Sequence, residues 1–321
     1  MRTGFALVLA VMLGACGSDG SGDDGGGDDN MGTPDAAPPE EPALRLESPE
    51  IDIPPGAEVT YCWYFRALNT QKLAIHRWES TMSPGSHHLI LFTSTNDIRP
   101  PGTVSTVNCG AGSSLSSFPT WMYSAQTIEA SMSLPTDDGE GKPLAMEIAP
   151  TQSGFVQLHY NNRSDATLKV RAVINGYALA EGVAYTRTAA FVTYNDKISI
   201  PPLATGDIEV QTCNVPTTSK FWMMSTHSHK QSVRTAVLDG MPGTGVKVFE
   251  STDWEHPGES RWDGPFQTFE SGKLTYECEY NNPYNRTITD GDSAQVDEMC
   301  MASGYFFPAT RPVFCYNSIT F

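Results

Sequence analysis

Short runs in which apolar and polar residues alternate recur along this chain, each bounded by glycine, proline or asparagine. They lie at residues 145–148, 155–160, 168–174, 198–200, 246–249 and 273–280. A period of two sends successive side chains to opposite faces of a strand, so these runs predict half-buried strands. No window sustains the three-and-four spacing of an amphipathic helix. Regularly spaced short strands predict an all-β chain of two tandem antiparallel β-sandwich, jelly-roll-like domains. A break in the pattern at 184–187 divides the body into residues 43–184 and 185–321, each of ordinary domain size.

The start of the chain follows other rules. Arg2 precedes an apolar run from Phe5 to Leu13, and Leu13-Gly14-Ala15-Cys16 then reads as a lipobox. The run is too short to span a bilayer, so residues 1–15 are expected to be a cleaved signal peptide. Cys16 becomes the lipidated N-terminus, and Gly17 rather than an aspartate after it favours the outer membrane. The expected location is therefore outside the cytoplasm, lipid-anchored to the cell envelope. Residues 16–42 contain Gly, Asp, Ser and Pro, eight acidic residues and no basic one. Such a segment buries too little apolar surface to offset its chain entropy and reads as a disordered tether. The chain carries a net charge of −17, of which about −10 belongs to residues 43–321. An acidic body without a basic cluster excludes nucleic acid and anionic lipid as partners.

Six cysteines remain besides Cys16: Cys62, Cys109, Cys213, Cys278, Cys300 and Cys315. An even number in an exported chain suggests three disulfides, and no Cys-x-x-Cys spacing supports a thiolate metal site. Cys62 and Cys109 stand alone in the first half and are expected to pair. The other four are expected to pair among themselves.

Five of the seven histidines fall in three short groups: His87-His88, His159, and His227-Ser228-His229. On a strand His227 and His229 share a face with Met223 and Ser225, while Trp222 and Met224 point the other way. Phe155, Gln157 and His159 share a face opposite Val156, Leu158 and Tyr160. His87 and His88 are adjacent, so both can reach one ion only if the strand is bulged there, and Pro84-Gly85 supplies a turn just upstream. Met299, beside Cys300, adds a soft sulfur ligand. Taken singly, each group also fits a surface or core role.

Their order and spacing carry more. His-His, His-Tyr, His-x-His and Asp-Glu-Met-Cys follow one another at intervals of about seventy residues. This resembles the type II, ascorbate-dependent copper monooxygenases, the family of peptidylglycine α-hydroxylating monooxygenase and dopamine β-monooxygenase. Thr60-Tyr61-Cys62, Ile200-Pro201-Pro202 and Glu255-His256-Pro257 are similar to further segments of that family, and the likeness covers roughly residues 55–315. The resemblance implies the disulfides Cys62–Cys109, Cys213–Cys315 and Cys278–Cys300. It implies two coppers: one held by His87, His88 and His159 that stores an electron, one held by His227, His229 and Met299 that meets dioxygen. The two sites are expected to face a shared solvent-filled cleft. His76 and His256 match no ligand.

The implied reaction is hydroxylation of a C–H bond of a small organic substrate with O2 and an external donor, ascorbate or another reductant. Ser225 stands where peptide-amidating members carry an arginine, and Met301 where they carry an asparagine, so peptide amidation is not expected. An aromatic pocket is expected from residues 301–307 with Trp254. Two other readings use the same residues: a copper-binding lipoprotein without turnover, and a jelly-roll surface-binding or adhesion protein.

Overall fold

The computed structural model describes residues 40–107, 109 and 119–321. Each alternating run forms a strand, and among the described residues there is no helix. The run at 168–174 is interrupted at Arg171 into Leu168–Val170 and Ala172–Ala178, which join different sheets. The fold is all-β, built of antiparallel sheets packed as sandwiches. Cys16, residues 1–15 and the expected tether up to residue 39 lie outside the described residues. At the end of that expected tether the Glu40 carboxylate lies 2.7 Å from Arg77 Nη2 and 3.4 Å from His76 Nε2.

Every sheet of the described strands lies wholly within residues up to Arg187 or wholly from Ala189 onward. In the first half, one sheet contains Leu44–Glu47, Ala172–Ala178, Leu73–Met82, Leu144–Ile148 and Glu129–Ser133. A second contains Glu58–Arg66, Ser153–Asn161, Ser86–Ser94 and Thr120–Ala125. Trp78 and Ile174 of the first share a core with Leu89, Leu91, Val156, Leu158 and Tyr160 of the second. Burying each such aliphatic side chain contributes roughly 1.5–3 kcal/mol. In the second half, Lys220–Ser228, Cys300–Phe307, Ala189–Tyr194 and Val313–Tyr316 share a sheet. Thr205–Asn214, Lys273–Asn281, Ser232–Asp239 and Val246–Ser251 form its partner.

Two disulfides join that second pair of sheets. Cys213–Cys315 and Cys278–Cys300 each connect a strand of one sheet to a strand of the other, with Cα separations of 6.1 and 5.9 Å. Cys62–Cys109 forms within the first half. All three pairings are those expected. On the chain-entropy account, a crosslink across the 102 positions between Cys213 and Cys315 stabilises the fold by about 4.7 kcal/mol.

The halves are held together by apolar packing. Trp222, Met223, Tyr305 and Phe307 of the second half belong to the core of the first. Trp222 stacks on Tyr305 at 5.1 Å, and the Tyr305 hydroxyl donates to the Met122 carbonyl at 3.2 Å. This corrects the expected faces of the His-x-His strand. The ladder pairs Phe221 with Phe306 and Met223 with Tyr305, leaving Trp222 unpaired in a bulge. Trp222 and Met223 consequently pack toward the first core, while Phe221 and Met224 pack into the second. Residues Tyr305, Phe306 and Phe307 are therefore core, not walls of the expected aromatic pocket.

A second bulge shapes the site. Along Ser153–Asn161, His159 pairs with His88 and Tyr160 with Ser86, so His87 is the extra residue. Gly85, at φ +88°, makes the turn into it, and a Cβ there would lie 2.9 Å from Leu168 Cδ1. Gly85→Ala is expected to lower stability by about 1 kcal/mol or more, because an L side chain at that φ is strained and must also displace Leu168. Urea unfolding of the variant beside the parent protein measures it; an unchanged midpoint would contradict the turn assignment.

Candidate metal centre

His88 and His159 are cross-strand neighbours on one face of the second sheet, and the bulge swings His87 to the same side. The three ring centroids lie 5.1 to 5.2 Å apart. One nitrogen from each falls within 4.8 Å of the others, a grouping that could hold a metal ion. His87 Nδ1 and His88 Nδ1 are 3.2 Å apart. Two imidazole nitrogens bound to one ion at about 2 Å stand at about this separation. Phe92 and Phe155, farther along the same face, form a small aromatic cluster with Cys62 and Tyr64 that anchors the strands.

His227 closes the strand Lys220–Ser228 but one, and His229 follows its end. Their rings are 5.4 Å apart. Each is oriented through Nδ1: His227 Nδ1 lies 3.1 Å from Gln126 Oε1, and His229 Nδ1 lies 3.3 Å from the Asp297 carbonyl. Both partners accept, so Nδ1 carries the proton and Nε2 is left with its lone pair. Met299 is half-buried, and Tyr280 donates to its carbonyl at 2.7 Å. The preceding Glu298 accepts from the backbone N–H of His229 at 3.0 Å and of Gln231 at 2.6 Å. The segment bearing Met299 is thus fastened beside His229.

The two groups do not face each other across an open cleft, as the resemblance implied. His87 and His88 lie 5.7 and 5.3 Å from His227, as close as rings within each group. His159 and His229 are only 2 % and 0 % exposed. The apolar contact between the halves closes the space that a cleft would occupy.

Electrostatics favours neutral rings at His87, His88, His227 and His229. Burial pushes His87 down to about 4 and His229 to about 3, with the His159 and His87 charges adding to the respective effects. Burial also drives His88 and His227 well below the usual imidazole range. Neutral imidazole is the ligand form. His87 Nε2, His227 Nε2 and His229 Nε2 are buried with no hydrogen-bond partner among the described residues. An unmatched buried polar atom costs about 1–3 kcal/mol. A metal ion would satisfy the Nε2 lone pairs of His227 and His229, whose Nδ1 atoms face acceptors, so this donor set fits one.

Sequence reasoning missed the carboxylates that orient this cluster. His159 Nε2 donates to Glu58 Oε1 at 3.0 Å. That bond above all, with Ser293 and Ala294, holds the Glu58 carboxyl at about 2 despite partial burial. Glu298 goes the other way, pushed up to about 8 by burial although the N–H groups of Gln231 and His229 pull it down. Glu58 was within reach of alternation: it shares a strand face with Thr60 and Cys62, and Thr60 pairs with His159. Gln126 follows the strand Thr120–Ala125 and has no local signal. Trp254, whose ring lies 5.8 Å from His87, lines with Ser86, His87, Arg163 and Gln295 a cavity of about 310 Å³. Ser225 donates to the Gly258 carbonyl, Met301 lies opposite His227 in the ladder, and His76 and His256 stand outside the cluster.

No protein-family model and no curated protein matches the chain. Among solved structures it is similar to "Crystal Structure of the STIV MCP", with 6 % identity, a TM-score of 0.31, and coverage of 82 % of this chain and 96 % of that one. It is also similar to "Crystal structure of BuGH86E322Q in complex with neoagarooctaose", with 9 % identity, a TM-score of 0.20, and coverage of 78 % and 32 %. Both likenesses are too distant to bear on the site. Replacing a histidine of the trio tests it directly. His159→Ala is expected to weaken binding of a first-row transition metal by at least about tenfold while the β-sheet circular dichroism is retained. Equal affinity in parent and variant would remove His159 from the site.

Proposed function

We propose that the chain is a copper-dependent monooxygenase that hydroxylates a C–H bond of a small organic molecule with O2 and electrons from an external, ascorbate-type donor. One observation carries this reading: a bulge brings the adjacent pair His87 and His88 onto His159, beside a second pair with buried, unpartnered Nε2 atoms. Those groups are far apart in sequence and match the order of ligands in the resemblance. His87, His88 and His159 would hold one copper, and His227, His229 and Met299 a second. Imidazole suits copper in either oxidation state, and a thioether favours Cu(I), whereas zinc would make little use of Met299. Copper, when bound, would supply the one-electron and dioxygen chemistry that no side chain here can provide.

The protein's own residues have distinct tasks in this reading. Glu58 and Gln126 fix ring tautomers by accepting the N–H of the nitrogen turned away from the metal. The Cys278–Cys300 disulfide restrains the backbone next to Met299. Burial of His159 and His229 keeps bulk water from the rings, and the cavity beside His87 and Trp254 admits small molecules to one edge of the cluster. Three disulfides support an oxidising compartment, in keeping with export and a lipid anchor at Cys16. The same burial favours a second reading, a lipoprotein that holds copper without turnover.

Equilibrium dialysis and oxygen uptake separate these readings. The enzyme reading expects two coppers per chain and ascorbate-dependent uptake with at least one member of a panel of aryl and alkyl amines. Two coppers with uptake no greater than free copper would select the storage reading, and no tight copper at all would exclude both. Met299→Ile preserves bulk and removes sulfur. It is expected to abolish oxygen uptake while copper at the three-histidine site is retained, measured as metal per chain and by electron paramagnetic resonance. Parental activity in that variant would overturn the assignment of the second site.

A further inference from the structure

The Glu58 carboxylate makes contacts on both sides of the division between the halves. From the first half it accepts His159 Nε2–H at 3.0 Å. From the second it accepts the Ser293 hydroxyl at 2.8 Å and the Ala294 backbone N–H at 3.0 Å. Residues 293–297 form one turn closed by Asp297 N–H donating to the Ser293 carbonyl at 3.0 Å. The far side of this turn is bound to the segment bearing His229. Lys230 N–H donates to the Ala294 carbonyl at 3.3 Å, Gln231 Nε2 to the Gln295 carbonyl at 3.0 Å, and His229 Nδ1 to the Asp297 carbonyl at 3.3 Å. Glu298 then receives the N–H groups of His229 and Gln231, and Met299 follows.

We infer that Glu58 is a positioning residue shared by both histidine groups: one carboxylate orients His159 and also seats the 293–299 strap that sets His229 and carries Met299. The inference rests on the metal-binding reading above. It extends that reading by making the geometry of the second site depend on a side chain that belongs to the strand Glu58–Arg66 of the first half. Oε1 accepts both His159 Nε2–H and the Ala294 N–H, and Oε2 accepts the Ser293 hydroxyl. Truncation to alanine removes all three contacts at once, whereas an amide keeps one oxygen for His159 and Ala294 and an N–H that the Ser293 hydroxyl can accept.

Three variants of the full chain test it. Glu58→Ala is expected to weaken copper at the three-histidine site by about tenfold to a hundredfold, the range for loss of the group that orients a metal-binding histidine. It is also expected to change the electron paramagnetic resonance signal of the copper at His227 and His229. Ser293→Ala keeps the partner of His159 and loosens only the strap, so it is expected to alter the second signal and leave affinity at the first site at the parental value. Glu50→Gln, on an exposed carboxylate that pairs with Lys169, is expected to change neither.

Amide hydrogen exchange of the metal-free proteins gives a readout independent of copper. Exchange across 293–299 is expected to be at least about tenfold faster in Glu58→Ala and in Ser293→Ala than in the parent. Parental exchange in both variants, or an unchanged second-site signal in Glu58→Ala, would overturn the inference. If Glu58→Ala does not fold, Ser293→Ala decides through the same two readouts. If the parent takes up no copper, the proposed function fails, and the exchange measurement still decides whether Glu58 seats the strap.

Discussion

Two neighbouring residues on a regular strand face opposite ways, and the site depends on breaking that rule once. The sheet holds His88 opposite His159 by ordinary pairing, and the unpaired position of His87 turns its ring to the same side. The distortion is confined between the Gly85 turn and the resumed ladder at His88, so the rest of the strand keeps Leu89 and Leu91 in the core. A ligand trio thus arises from one sheet without a long loop. A packed core on the opposite face supports it, which suits a centre whose rings must hold fixed positions.

The second group follows a different logic. His227 and His229 are positioned by acceptors from elsewhere in the chain, Gln126 and the Asp297 carbonyl. Neither acceptor is near them in sequence. The setting of His227 by Gln126 therefore depends on the two halves being packed together, through Trp222, Met223 and Tyr305, whereas His229 is set by Asp297 within its own half. Buried hydrogen-bonded groups of this kind are worth most where water is excluded, and burial of His229 provides that condition.

The strands, the faces of Ser153–Asn161 and the need for a bulge at His87-His88 were legible because each is a local pattern with a period or a parity. The even cysteine count pointed to three disulfides, but the pairings Cys213–Cys315 and Cys278–Cys300 came only from the resemblance. The faces of Lys220–Ser228 were not, since the Trp222 bulge shifts the alternation and nothing in 220–224 marks it. The expected cleft failed for a related reason: how closely two halves approach depends on the fit of Trp222, Tyr305 and Phe307 against the first core. An alternation pattern says which side chains are buried and leaves open what they are buried against. Glu58 lay on a readable face, but its second set of partners, Ser293 and Ala294, is 235 and 236 positions away.

The cavity beside Trp254 borders His87 and no other histidine of the cluster. A small solute diffusing in from this opening meets the His87 ring first, whereas His229 has no exposed surface. Contact with the surroundings is therefore unequal within one cluster, quick for a ring at the cavity wall and slow for one sealed by its neighbours.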